Sequence, residues 1–458
     1  SSIAMDADGD YVVTWSSDGQ NGLAYGIYAQ RYNAAGVPQG AEFQVSSSTT
    51  ISQKSPSIAM DADGDFVITW SRPHLGGTNV FAKRFNALGV AQGSEFQVNT
   101  WTTDNQHSPS IGMDADGDFV ITWHSSSIFV VSQDGSYHGI FAQRYNAAGV
   151  PQGFEFRVNS WTTDSQTDPS IAMDASGDFV ITWKSEDQDG DGFGIYAQRF
   201  NQLGVVQGSE FLVNSTTTGW QRLPSIAMDA DGDFVIAWTS DGQDGSGSGI
   251  YARRFDQDGV PQGSEFQVNT WTTFFQDYPA VGMDAEGDFV ITWESDDQDG
   301  SGVGIYAQRY NQTGVPLGSE FRINSFTGGS QNFPTIGMNA SGDFVIAWDS
   351  QDGSAKGVFA QRYNSLGVMQ GAEFQVNTNT INDQRSPSVG IDADGDFVIA
   401  WQSYGHLGVG IDVFVQRYNA AGEAQGLEPL VNTERSGHQS SPTIGIDDNG
   451  NFVIAWEA

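Results

Sequence analysis

The sequence predicts an all-β protein, a β-propeller built from four-stranded antiparallel blades. The first observation behind this prediction is an internal repeat of 53 to 60 residues. Tryptophans in register mark the repeat: Trp15, Trp70, Trp123, Trp183, Trp238, Trp293, Trp348, Trp401 and Trp456. The second is that each repeat contains four short strand-like segments with glycine-bearing turns between them. The third is that expected burial decreases from the second segment to the fourth.

The four segments are expected at different places in a blade. The first, typified by SIAMD, is placed near the axis of the ring. The second, FVITW, is apolar at every position, which predicts a strand buried on both faces. The third is GIYAQRYN, and in the fourth, SEFQVNT, Phe and Val alternate with polar residues, as in an exposed outer strand. The link that follows crosses from the rim of one blade to the centre of the next.

The repeats organise the whole chain, residues 1–458, as one propeller. A four-stranded unit of this size is too small to bury a core alone, which argues against a string of independent sandwiches. Eight complete repeats favour an eight-bladed ring, with a nine-bladed ring or an open repeat array as alternatives. The repeats are 1–54, 55–107, 108–168, 169–223, 224–278, 279–333, 334–386, 387–441 and a partial 442–458. Because the chain starts and stops inside a repeat, we expect it to be a piece of a longer protein.

The charge balance limits the partners. Nineteen Lys and Arg against 56 Asp and Glu give a formal net charge of −37, which repels phosphate backbones and anionic lipid. We therefore expect neither nucleic-acid binding nor membrane insertion. The absence of Cys excludes disulfides and thiolate metal sites and is typical of a secreted bacterial protein.

The stretch MDADGDFVITW, Met60 to Trp70, concentrates three carboxylates before the buried strand. Asp61, Asp63 and Asp65 have the alternate spacing of the first ligands in a calcium loop, but the Gly comes one place early and no late Glu follows. The middle position also varies among repeats, which favours a hairpin turn with Gly64 in the left-handed region. We expect Asp61 and Asp65 to bind backbone amides or Arg84, with calcium as the alternative.

A second acidic loop, EDQDGDG, is a better candidate for Ca²⁺. Asp187, Asp189 and Asp191 precede Gly192 in the order of a calcium loop. The related loop of repeat six contains Asp297 and Asp299. Neither loop has a downstream bidentate Glu, so solvated acidic loops without metal are the alternative. No other cofactor is indicated.

Aromatic residues in the links between blades are candidate ligand-binding or partner-binding residues. They are Trp101, Trp161, Trp220, Trp271, Phe274 and Phe275, and Tyr278 adds apolar surface beside them. Flat exposed rings suit a sugar or a protein surface. The alternative is that they are wedges that bury the junction between blades.

The sequence indicates no enzyme. It has no Cys nucleophile, no Gly-x-Ser-x-Gly elbow and no phosphate-binding loop, and its carboxylates repeat from blade to blade. Six His occupy the variable loops and strand ends without the spacing of a zinc motif. We assign no catalytic residue.

The unit DADGDFVITW followed by GIYAQRYN and SEFQVNT resembles a tandem repeat of very large secreted bacterial proteins, often found beside calcium-binding RTX or cadherin-like modules. This resemblance covers essentially the whole chain and implies an extracellular adhesive or structural setting. A looser likeness is to integrin-type FG-GAP propellers, although their Phe-Gly and Gly-Ala-Pro signatures are missing.

These observations predict an extracellular or cell-surface structural or adhesive module. A rigid ring would display variable loops, around residues 124–139, 184–194, 239–249 and 271–278, to a protein or glycan surface. Calcium stiffening and self-association are parts of this hypothesis. The alternative is a carbohydrate-binding, lectin-like propeller, and a glycoside-acting enzyme is the third reading.

Overall fold

A computed structural model describes most of the chain, and in it every regular element is a β-strand. The described residues are 2–5, 11–18, 25–32, 39, 43–48, 51–61, 63–74, 77–102, 104–114, 117–126, 133, 135, 137–174, 177–229, 231–339, 341–351, 355–392, 395–404, 411–425, 428, 440–446 and 452–457. Within these ranges no helix is long and apolar enough to cross a membrane.

The strands group into blades that follow the repeats. Blade 1 contains β1 (Ser2–Met5), β2 (Tyr11–Asp18), β3 (Tyr25–Tyr32) and β4 (Phe43–Gln44). Blade 2 contains β5 (Lys54–Met60), β6 (Phe66–His74), β7 (Gly77–Phe85) and β8 (Phe96–Gln97). Blade 3 contains β9 (Asn105–Met113), β10 (Phe119–Ser126), β11 (His138–Tyr145) and β12 (Phe156–Arg157). Blade 4 contains β13 (Gln166–Met173), β14 (Phe179–Glu186), β15 (Phe193–Phe200) and β16 (Val206–Leu212).

The second half of the chain continues the pattern. Blade 5 contains β17 (Gln221–Met228), β18 (Phe234–Asp241), β19 (Ser248–Phe255) and β20 (Phe266–Gln267). Blade 6 contains β21 (Gln276–Met283), β22 (Phe289–Asp296), β23 (Val303–Tyr310) and β24 (Phe321–Arg322). Blade 7 contains β25 (Asn332–Met338), β26 (Phe344–Gln351), β27 (Lys356–Tyr363) and β28 (Phe374–Gln375). Blade 8 contains β29 (Gln384–Ile391), β30 (Phe397–Tyr404) and β31 (Ile411–Tyr418), and a terminal hairpin contains β32 (Ser440–Ile446) and β33 (Phe452–Glu457).

The first strands of the blades lie side by side around a common centre. Within each blade the strands pair antiparallel in chain order. Parallel bridges also link neighbouring repeats, between Thr78 and Asn105, His138 and Ser165, and Ser248 and Phe275. Each first strand contacts the first strand of the next blade, from β1 through β29 to β32. The hairpin β32–β33 also contacts β1 and β2, so the two ends of the array meet. This is the predicted β-propeller architecture.

The core lies between neighbouring blades. The tryptophan of the second strand is fully buried in blades 2 to 8, as the apolar FVITW segment predicts. Val180 of blade 4 packs in one cluster with Phe234 and Trp238 of blade 5, and the same arrangement recurs around the ring. Each blade therefore needs its neighbour to remove its apolar faces from water.

A strained bulge interrupts the first strand opposite each buried tryptophan. In blade 4, Asp168 and Pro169 together oppose the single Trp183. Asp168 has a φ of 56°, a left-handed conformation that costs a non-glycine residue about 1 to 3 kcal/mol. The equivalent residue, always followed by Pro, has a φ of 49 to 56° in every blade from 2 to 8: Ser55, Ser108, Asp168, Leu223, Tyr278, Phe333 and Ser386.

Charged side chains join each blade to its neighbours by binding backbone groups. Arg199 of blade 4 donates to the carbonyl oxygens of Gln257 and Asp258 in blade 5, the latter at 2.5 Å. Glu95 of blade 2 accepts a hydrogen bond from the Ser47 amide of blade 1 at 2.7 Å. Equivalent Arg and Glu contacts recur, so these charges belong to the framework.

We expect Arg199→Met to lower the free energy of unfolding by about 1 to 3 kcal/mol, because two carbonyl groups lose their donor. Arg322→Met is the matched control, since Arg322 is exposed on the short outer strand β24. Chemical denaturation of both variants checks this. Equal stability of the two variants would contradict the assignment of Arg199 to the blade junction.

Candidate functional site

The most distinctive surface is a cavity of about 580 Å³ at the centre of the ring. It is lined by the bulges of five successive first strands, in blades 4 to 8. At each bulge the strained residue and its Pro form the wall: Asp168 and Pro169, Leu223 and Pro224, Tyr278 and Pro279, Phe333 and Pro334, and Ser386 and Pro387. We call this cavity the axial mouth. Its volume lies in the range that takes small-molecule ligands.

One side of the axial mouth is aromatic. Tyr278 and Phe333, on neighbouring blades, are 47% and 45% exposed, and their ring centroids are 5.8 Å apart at an interplanar angle of 66°. Leu223 precedes them on blade 5. Phe274 and Phe275 come just before Tyr278 in the chain and are also exposed. Because the strained bulges hold Leu223, Tyr278 and Phe333, this part of the wall is preorganised.

The backbone of the link holds Phe274 and Phe275 while their rings stay exposed. The Phe274 carbonyl accepts a hydrogen bond from Ser248 N at 3.2 Å, and the Phe275 carbonyl accepts one from Asp296 N at 2.9 Å. Phe274 itself has a φ of 65°. The link of blade 6 is thus tied to both blade 5 and blade 6 next to the mouth.

One variable position next to the strained bulge carries polar or charged residues. This is the residue after each buried tryptophan, which is Ser71, His124, Lys184, Thr239, Glu294, Asp349 and Gln402 in blades 2 to 8. Its cross-strand partners are Lys54, His107, Thr167, Arg222, Asp277, Asn332 and Arg385. Four cations near this position are in ion pairs: Lys184 with Asp168, Arg222 with Asp241 and Asp277, Lys356 with Asp349, and Arg385 with Asp383.

Glu294 is the most perturbed carboxyl group beside the mouth. It is 9% exposed, and its Oε1 accepts a hydrogen bond from the backbone amide of Phe333 at 2.7 Å. Burial raises the pKa of Glu294 to about 7, against the effect of that hydrogen bond, and the negative charges of Asp349 and Asp277 add to the increase. Glu294 is therefore partly protonated near neutral pH.

Asp277 and Asp349 flank Glu294 in different surroundings. Asp277 Oδ1 accepts hydrogen bonds from Arg222 Nη2 at 3.2 Å and from the Ser248 hydroxyl at 3.1 Å. Burial raises the pKa of Asp277, while Arg222 and Ser248 favour its ionised form. Asp349 is fully buried and forms an ion pair of 2.6 Å with Lys356. The three carboxyl groups thus belong to two neighbouring blades, 6 and 7.

The acidic turn on the opposite face forms the predicted hairpin. Asp61 Oδ1 accepts hydrogen bonds from the amides of Asp63 and Asp65, at 3.1 and 2.9 Å, and Gly64 has a φ of 85°. Asp65 Oδ1 binds the amide of Ala87. Of the two expected partners of these carboxylates, the backbone amides are the ones found, and Arg84 is not. No described ion pair joins them, because Arg84 turns to the carbonyls of Ala147 and Ala148 in the next blade.

The carboxylates of the EDQDGDG loop face different partners. Asp187 Oδ1 accepts from Gly192 N at 3.0 Å, and Asp191 Oδ2 accepts from Gly219 N at 3.1 Å. Asp189 Oδ2 accepts from the Asn214 side chain at 3.2 Å, whereas its Oδ1 is buried with no donor among the described residues.

The equivalent loop of blade 6 has the same geometry. Asp297 Oδ1 binds Gly302 N at 3.0 Å, and Asp299 Oδ2 binds Asn324 at 3.1 Å. Over the described ranges no three carboxylate or imidazole side chains converge as a metal site. Calcium at Asp187, Asp189, Asp191, Asp297 and Asp299, or at the hairpin turn, stays a prediction.

The link tryptophans lie outside the axial mouth. Trp101, Trp161 and Trp220 remain substantially exposed, which favours a contact surface over buried wedges. Trp101 Nε1 donates to Asp104 Oδ2 at 2.7 Å, and Trp220 packs edge-on against Phe193 at 5.7 Å. Trp271 is less exposed, and its indole N–H is buried.

Three of the histidines form a row on blade 3. The rings of His107 and His124 are 5.6 Å apart, and those of His124 and His138 are 6.1 Å apart. Burial, together with the two neighbouring imidazoles, lowers the pKa of His124 to about 4. The side chains of His74, His406 and His438 lie outside the described residues, as do 127–132, 134 and 136 of the loop predicted to bind a partner.

Sequence reasoning misses Phe333, Glu294 and Asp277. Each stands at a position that changes character from blade to blade within an otherwise constant repeat. The signal that could have found them is variation between repeats at two positions. These are the residue after the repeated tryptophan of the second strand and the residues just before the proline of the first strand. The repeated acidic turn is more conspicuous in the sequence, but its carboxylates bind backbone amides and belong to the framework.

No protein-family model and no curated protein matches the sequence. Solved structures do resemble it. An ulvan lyase of polysaccharide lyase family PL25 has a TM-score of 0.48 and 10% identity, covering 80% of this chain and 93% of its own. The α-L-arabinanase of Penicillium chrysogenum, complexed with arabinobiose, has a TM-score of 0.41 and 13% identity, covering 64% and 87%. The xylan β-1,4-xylosidase of Bacillus halodurans has a TM-score of 0.32 and 12% identity, covering 100% and 94%.

These comparisons correct two predictions. The solved structures named above are a polysaccharide lyase, an arabinanase and a xylosidase, so the expectation of a structural or adhesive module without enzymatic activity is wrong. The likeness is one of fold, and no substrate or residue role comes from it. The physical reason for the error is that the repeated carboxylates are framework, whereas the carboxylates that differ between blades gather beside the axial mouth.

We expect the stability of the protein to depend on pH because Glu294 is buried. Its folded-state pKa lies above the ordinary value, so ionisation costs stability as the pH rises from about 5 to about 7. The melting temperature of the wild type should therefore fall by a few degrees relative to Glu294→Gln over this range. Glu286→Gln, on the exposed turn of the opposite face, should follow the wild type. Parallel melting curves for wild type and Glu294→Gln would contradict this.

Proposed function

We propose that the protein binds polysaccharide at the axial mouth. The observation that carries this proposal is the pair Tyr278 and Phe333, two half-exposed rings on neighbouring blades that form one wall of the cavity. A pyranose or furanose ring has apolar C–H faces that pack on aromatic rings, while its hydroxyls need polar partners. Asp168 and Ser386 supply such partners on the other side of the same cavity.

The charge distribution favours a neutral glycan. Each described cation of blades 4, 5, 7 and 8 beside the mouth already has a carboxylate partner. No unpaired cation there is left over for a uronate or sulfate group. The net charge of −37 also repels polyanions at long range. The proposal therefore concerns neutral polysaccharides, encountered outside the cell, where we expect the protein to act.

The size of the mouth depends on how many blades close the ring. We propose nine radial units, because the hairpin β32–β33 lies between blade 8 and blade 1 and contacts strands of both. The terminal hairpin then completes the circle of first strands.

Affinity electrophoresis in gels that contain soluble xylan, arabinan, β-glucan or polygalacturonate tests the proposal. We expect a neutral polysaccharide to retard the wild type more than polygalacturonate does. Tyr278→Ala and Phe333→Ala should each weaken binding by roughly ten-fold, which corresponds to about 1.4 kcal/mol for a lost aromatic contact. The control is Phe154→Ala, because Phe154 is almost fully exposed elsewhere.

Unaltered mobility of the wild type in every gel would overturn the proposal. Equal retardation of Tyr278→Ala, Phe333→Ala and the wild type would also overturn it, because binding would then lie outside the axial mouth.

A further inference from the structure

Glu294 is a buried acid directly behind an aromatic wall residue of the axial mouth. Its Oε1 is held by the amide of Phe333, whose ring lines the cavity. Among the described residues no other donor binds this carboxyl group. A framework carboxylate of this protein looks different: Glu95, for example, is held by an amide and by Arg72 together.

Asp277 lies across the ladder from Glu294 and next to Tyr278 in the wall. The two residues are Cα partners in the pairing of β21 with β22. Asp277 is held from the side of blade 5 by Arg222 and Ser248, whereas Glu294 is held from the side of blade 7 by Phe333. The two carboxyl groups therefore flank the mouth end of blade 6 and turn to opposite neighbours.

We propose that Glu294 and Asp277 are the acid and the base that hydrolyse a glycosidic bond of a glycan bound in the axial mouth. This inference rests on the proposed glycan binding and adds a reaction to it. Two carboxyl groups with different surroundings, one neutral and one ionised, are the usual requirement for this chemistry.

The two residues have distinct roles. Glu294 gives its proton to the glycosidic oxygen, and the bond between that oxygen and the anomeric carbon breaks with its electron pair on the oxygen. Asp277 takes a proton from a water molecule, whose oxygen forms the new bond to the anomeric carbon. One water is consumed, each product carries one new hydroxyl group, and solvent returns the proton from Asp277 to Glu294.

The surrounding groups support this assignment. Arg222 and Ser248 favour the ionised form of Asp277 against the effect of its burial, and burial raises the pKa of Glu294 to about 7. Asp349 and Lys356 form a closed ion pair behind Glu294. Because a water molecule attacks the anomeric carbon directly in this scheme, we expect inversion at that carbon.

The test uses the full chain and the neutral polysaccharide that retards it most. Release of reducing ends should be at least 100-fold slower for Glu294→Gln and for Asp277→Asn than for the wild type. Binding of both variants in the affinity gel should stay within three-fold of the wild type, which also shows that they fold. The matched control Glu286→Gln should cleave at the wild-type rate.

The pH profile separates a proton donor from a structural residue. The wild-type rate should fall as the pH rises above about 7, where Glu294 loses its proton, with Asp277, Asp349 and Lys356 as the charged groups that face it. A wild type that binds glycan but releases no reducing ends would overturn the inference and leave the proposed binding intact. Products with a carbon–carbon double bond, or undiminished cleavage by Glu294→Gln and Asp277→Asn, would overturn it as well. Absence of glycan binding by the wild type would overturn both proposals.

Discussion

The buried tryptophan of the second strand is the constraint on which the other features depend. It is fully buried in each of blades 2 to 8, at the junction with the neighbouring blade. The first strand accommodates it by a two-residue bulge, in which a residue before Pro takes a left-handed conformation. That strain would be unfavourable in isolation, and the packing of the indole compensates it. In blades 4 to 8 the bulge then places one variable residue of each blade in the wall of the axial mouth.

Much of the fold follows from the sequence. The repeat and the apolar FVITW segment predict the blades and the burial of the tryptophans, which the structure confirms. The binding partners of charged residues cannot be predicted from the sequence in the same way. A periodic sequence does not show whether a side chain binds its own blade or the next blade. Arg84 is the example: it is opposite Val67 within its blade but binds carbonyls of blade 3.

The candidate site is harder to predict than the fold for a physical reason. Its wall residues, Tyr278 and Phe333, come from different repeats and meet only because the ring brings equivalent positions together. No single repeat shows that these two rings form one wall. The sequence identifies the aromatic stretch Phe274, Phe275 and Tyr278, but it does not reveal that Glu294 of one blade binds the backbone of Phe333 in the next.

The two faces of the ring have different roles. One face holds the blades together, and the other carries the variable residues and the axial mouth. Hairpin turns, Arg contacts and Glu contacts hold the blades, so residues around the mouth are free to differ. The most direct measurement is a crystal structure of the protein with an oligosaccharide released from its best-binding polysaccharide. The account predicts sugar rings against Tyr278 and Phe333, with a glycosidic oxygen near Glu294. Sugar bound only at the link tryptophans or on the opposite face would contradict it.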